Sequence, residues 1–68
     1  MNDLDDLKIA FTLALVHGSA SKNQLMNPDF ADEMGYGSIS EYQEELVETG
    51  IAMAEIFYSK VFKNKVRH

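Results

Sequence analysis

Apolar residues recur at helical spacing from Ile39 to Phe62, yet they occupy more of the helix than one buried face can use. At 100° per residue, Ile39, Tyr42, Leu46, Met53, Ile56 and Phe57 fall within about a third of the circumference. Val47, Ile51, Ala54, Tyr58, Val61 and Phe62 fill the neighbouring third. Glu41, Glu44, Glu45, Glu48, Glu55, Ser59 and Lys63 share what remains. The apolar arc spans about 240°, roughly twice what a helix with a single buried face needs. The N-terminal segment shows the same excess. Leu4, Leu7, Phe11, Ala14 and Leu15 make one stripe, and Ile9, Leu13 and Val16 make a second, with Asp5, Lys8 and Thr12 between them.

Glycine and proline divide these patterns into elements. A first helix is predicted from about Asp3 to His17, with Asn2 or Asp3 as cap, acids in its first turn, and Gly18 as a left-handed terminator. His17 then lies in the last turn, where an imidazolium suits the carbonyl end of the helix better than it suits catalysis. Asn27-Pro28 reads as an N-cap followed by proline at the first helical position, opening a short helix over 28–34 that Gly35 ends. Phe30 and Met34, four residues apart, are expected to cover one end of the core. Ser21 with Gln24 offers a further single turn before it. "SISE", residues 38–41, has the Ser-x-x-Glu spacing of a capping box and opens a long helix over about 39–64, with Ser40 and Gln43 offering the same signal two residues later. Gly50 lies inside that helix at a cost of about 1 kcal/mol relative to alanine, which predicts close approach by another helix.

The fold class is therefore all-α, a helical hairpin of two principal helices with a short connecting helix in one domain. A hairpin buries one stripe of each helix and leaves the second pair without cover. Leu25, Phe30 and Met34 are too few to hide both stripes. The surplus predicts a homodimer, or a larger helical bundle, formed through Ile9, Leu13, Val16, Val47, Ile51, Ala54, Tyr58, Val61 and Phe62.

Composition strengthens that expectation. Chains of 68 residues usually need a disulfide, a metal or a second subunit to fold. There is no cysteine, and the two histidines, His17 and His68, are far apart in sequence, so neither disulfides nor a zinc site is expected. No cofactor is implied. The acidic N-terminus "MNDLDDLK" differs from the basic start of an export signal, and the uncharged run from Ile9 to Ala20 is too short to span a bilayer. A cytoplasmic protein with no membrane association is expected. The net charge of −5 is unevenly spread. Residues 1–48 hold ten acids against Lys8 and Lys22; residues 49–68 hold Glu55 against Lys60, Lys63, Lys65 and Arg67. Matching of charges to helix dipoles accounts for this, and a basic tail that touches an acidic partner is the alternative.

Catalytic chemistry finds no foothold. No nucleophile lies in a Gly-x-Ser-x-Gly setting, no HExxH spacing occurs, and "GYGS" lacks the lysine and spacing of a phosphate loop. The protein is not expected to be an enzyme. "NPDFADEMGYGS" shares only composition with a calcium loop. Read as a helix-turn-helix, "SEYQEELVE" would present glutamates to phosphate, so direct nucleic-acid binding is not expected. Glu41, Glu44 and Glu48 share one helix face with Glu55, and Tyr36 sits in the turn before that helix. They are the candidate partner-binding residues: either a solvated face, or an acidic mimic of nucleic acid that blocks a DNA- or RNA-binding protein. A non-enzymatic interaction module with an unidentified protein partner is the leading expectation. The mimic and a purely structural assembly subunit are the alternatives.

The segment "LKIAFTLALVHGSASKNQL", Leu7 to Leu25, resembles the small helical accessory proteins of lambdoid temperate phages, in particular short reading frames between the exonuclease and excisionase genes. The resemblance covers about a third of the chain and carries no diagnostic motif. It implies an early phage regulatory protein that acts on a host or phage protein, and it assigns no site residue.

Overall fold

The first two helices are each ended by a residue in the left-handed region, and these two stops shape the chain. A computed structural model describes residues 3–63. Helix α1 spans Asp3–Ser21, α2 Pro28–Glu33 and α3 Ile39–Phe57, and α3 runs on into a π-helical turn, Tyr58–Lys63. The architecture is an all-α hairpin: α1 and α3 pack side by side, and no strand occurs among the described residues.

The end of α1 corrects the expected boundary. Gly18 lies within the helix, and the stop is Asn23, whose φ is +58°. The Gln24 amide donates to the Ser19 carbonyl at 2.9 Å and the Asn23 amide to the Ala20 carbonyl at 3.0 Å, the paired bonds of a Schellman motif. His17 is consequently a full turn from the end. Ser21 closes α1, its hydroxyl donating to the His17 carbonyl, and does not open another turn. The remaining signals act as the sequence predicts. The Asn27 side chain accepts from the Asp29 amide at 3.0 Å, with Pro28 at the start of α2. Gly35, with φ of +91°, ends α2 in a second Schellman motif, the Tyr36 amide donating to the Ala31 carbonyl. Ser38 caps α3 by accepting from the Glu41 amide at 3.2 Å, and the Glu41 carboxylate reaches back to the Gly37 amide at 3.3 Å. The expected α-helix to residue 64 is shortened: α-geometry gives way at Tyr58, and residue 64 lies outside the described residues.

The two long helices run antiparallel. Ser19 hydrogen-bonds Tyr42, Thr12 lies against Gly50, Lys8 pairs with Glu55 at 3.8 Å, and the Phe11 and Phe57 rings stand 5.5 Å apart. At the connection end, Tyr42 is the one large side chain that is buried among the described residues, with Phe30 and Tyr36 edge-on to it at 5.3 and 5.5 Å. Helix α2 covers this end through Phe30 and the buried Ala31, but Met34 is 61% exposed and does not share the task expected of it.

Candidate interaction surface

The contact line between the long helices is closest at its middle, where Gly50 and Ala54 stand on one helix and Thr12 on the other. On α3 it follows Tyr42, Leu46, Gly50, Ala54 and Tyr58, spaced four apart; all are buried or half-buried. On α1 it follows the positions between the two apolar stripes. A methyl group added at Gly50 would sit 2.5 Å from the Thr12 hydroxyl and 2.8 Å from the Thr12 Cα. Helices that meet this closely along a narrow line leave the apolar residues on either side only half covered.

Two apolar flanks result, one on each side of the contact line. The first is a shallow groove lined by Lys8, Ile9, Thr12, Leu13 and Ile51, continuing along α3 to Val47 with Gln43, Glu44 and Glu48 beside it. Ile9 and Leu13 are 55% and 61% exposed there. The second is an almost wholly apolar groove lined by Phe11, Met53, Ile56, Phe57, Lys60 and Val61. At the far end, Phe62 stacks on Tyr58 at 5.5 Å and stands 6.2 Å from Phe57.

These placements divide the predicted interface. Ile9, Leu13, Val47 and Val61 are exposed; Val16, Ile51, Tyr58 and Phe62 are half-buried. Ala54 is fully covered within the chain and is removed from the outward-facing set. Met53, Ile56 and Phe57, on the other apolar stripe, are also partly exposed, with Phe57 against Phe11 of α1. The small residues Gly50 and Ala54 were the signal for this arrangement. Their position four apart marks the line of closest approach and turns the apolar residues on either side outward.

The acidic face adjoins the first flank through Glu44 and Glu48. Glu41, Glu44, Glu45 and Glu48 are exposed and line an open surface with Tyr36. Tyr36 is half-buried against Tyr42, and the Glu41 carboxylate is engaged at the α3 cap. Lys65 and Arg67 of the basic tail lie outside the described residues. Among the described residues, no group of three acidic or histidine side chains is placed to hold a metal, and no helix is long and apolar enough to cross a membrane.

Among the described residues, no large side chain is fully buried. No protein-family model matches the chain, and no curated protein or solved structure is significantly similar to it.

Proposed function

We propose that this chain is a non-enzymatic protein–protein interaction module that works as a homodimer. The observation that carries this reading is the pair of apolar flanks on a hairpin in which Tyr42 is the only large buried side chain among the described residues. A hairpin that buries so little gains stability by covering those flanks with another chain, and apolar patches of this kind mark interaction surfaces. The resemblance of Leu7–Leu25 to lambdoid phage accessory proteins supports a regulatory role in the cytoplasm of an infected host, exercised on a host or phage protein. The acidic-mimic reading draws on the exposed Glu44, Glu45 and Glu48 but loses strength at Glu41, whose carboxylate serves the helix cap.

Light scattering after gel filtration, with urea melts across a hundredfold range of protein concentration, tests the proposal. The expected result is twice the chain mass of 7.7 kDa and an unfolding midpoint that rises with concentration. A folded monomer at micromolar concentration with a fixed midpoint refutes it.

A further inference from the structure

We infer that the first flank, the groove between α1 and α3 at Ile9, Leu13 and Ile51, receives a cationic amphipathic helix of a protein partner. This rests on the interaction-module reading above and names the surface and the chemistry of what it binds. Two independent observations carry it. The first is the shape and polarity of the groove. It is shallow and almost wholly apolar, with Ile9 and Leu13 exposed on the α1 wall and Ile51 continuing to the exposed Val47 on the α3 wall. Ile9 and Leu13 stand four residues apart, as do Val47 and Ile51, so each wall offers two apolar side chains about 6 Å apart along its helix. A third helix laid between two such walls meets them with apolar residues at the same spacing, the helix-in-groove mode of recognition.

The second observation is the charge of the rim. The cation lining the groove, Lys8, stands 3.8 Å from Glu55, so those two charges are matched within the chain. Glu44 and Glu48 border the α3 wall, are exposed, and have no ion pair among the described residues. Asp6, exposed one turn before Ile9, adds an acid on the α1 side. The groove is therefore apolar along its floor and anionic along its edges, the complement of a helix whose apolar stripe is flanked by lysine or arginine. The same sign disfavours other occupants. A second copy presenting this flank brings its own Glu44 and Glu48 to an acidic rim, while its Lys8 is already matched by Glu55. Nucleic acid and anionic lipid surfaces are repelled. The Met53 groove, lined by no acid, lacks this complementarity.

The probe is a fluorescein-labelled synthetic peptide of about 18 residues, with leucine at helical spacing and lysine elsewhere, followed by anisotropy. Its counterpart with glutamate in place of lysine is the control. The lysine peptide is expected to bind and the glutamate peptide not to. Leu13→Gln and Val47→Gln are each expected to weaken binding by about tenfold, and Glu44→Gln with Glu48→Gln to weaken it by about tenfold and to reduce its salt dependence. Ile56→Gln, on the opposite flank, is expected to leave it unchanged. Circular dichroism checks that each variant keeps its helix; where Leu13→Gln does not, Ile9→Gln on the same wall gives the reading. Failure of the lysine peptide to bind, or equal binding of the glutamate peptide, overturns the inference. A loss through the glutamate changes with none through Leu13→Gln and Val47→Gln reduces the site to charge attraction and overturns the groove, and a loss through Ile56→Gln in place of Leu13→Gln overturns the choice of flank. Light scattering on the same unmodified protein keeps the two levels apart. A dimer that does not bind the peptide retains the homodimer reading and overturns this inference; a monomer that binds it through Leu13, Glu44 and Glu48 does the reverse.

Discussion

Gly50→Ala is the sharpest test of how closely the two long helices meet. Inside a helix, alanine is favoured over glycine by about 1 kcal/mol, so on propensity alone the substitution stabilises. The structure opposes this. The added Cβ would lie 2.5 Å from the Thr12 Oγ1, 2.8 Å from its Cα and 3.0 Å from its amide nitrogen. Carbon atoms in contact normally stand about 3.5–4.0 Å apart, so the helices must separate by close to 1 Å. Two of the three obstructing atoms are backbone, and no change of rotamer removes them. Overpacking of this kind costs about 1–3 kcal/mol, and the net expectation is a loss of about 1–2 kcal/mol. Gly18 supplies the control. It lies in α1 with nothing within 4 Å of an added Cβ, so Gly18→Ala is expected to stabilise by about 0.5–1 kcal/mol. With a urea slope near 1 kcal/mol/M, the two midpoints move in opposite directions by about 1 M, followed by circular dichroism at one fixed protein concentration. Thr12→Ala added to Gly50→Ala removes the Oγ1 contact but leaves the backbone ones, and is expected to recover only a minor part of the loss. If Gly50→Ala raises the midpoint as Gly18→Ala does, the close approach of α1 and α3 is refuted.

Asn23 holds the left-handed conformation that ends α1, so Asn23→Val is expected to cost about 1–2 kcal/mol and Asn23→Gly to cost nothing, measured by urea melts. Ser19→Ala leaves the hydroxyl of the buried Tyr42 without its partner and is expected to cost about 1–3 kcal/mol, while Ser19→Ala with Tyr42→Phe costs no more than Ser19→Ala alone, as a double-mutant cycle would show.

Local signals in the sequence governed local structure wherever no tertiary contact competed with them. Asn27-Pro28, Gly35 and the Ser38/Glu41 pair each act through atoms within a few residues, and each sits where the spacing placed it. Gly18 misled because glycine is a helix stop only when the chain needs a positive φ there. Here the chain continues so that Ser19 reaches Tyr42, and the stop passes to Asn23. The excess of apolar surface was also legible, as was the close approach at Gly50. The side of each helix that faces inward was not. A wheel ranks positions by hydrophobicity and so leaves open which of the two apolar stripes faces inward. Backbone approach ranks positions by size, and it sends Gly50 and Ala54 inward.

That difference has a consequence for how so short a chain can serve as an interaction protein. The close approach at Gly50 brings α1 and α3 together but encloses little apolar volume, because Gly50 and Thr12 meet where larger side chains would otherwise interdigitate. The larger apolar residues are displaced to the two sides, where each helix contributes half of a groove: Phe11 with Met53, Ile56 and Phe57 on one side, Ile9 and Leu13 with Ile51 on the other. Every groove residue stands on one of the two long helices or on the helical turn that continues α3, so the surfaces are set by the hairpin and not by its connection. Replacing Gly50 with a larger residue would then do more than destabilise the fold. By moving the helices apart it would widen both grooves at once, linking the packing at one buried position to the shape of both outward faces.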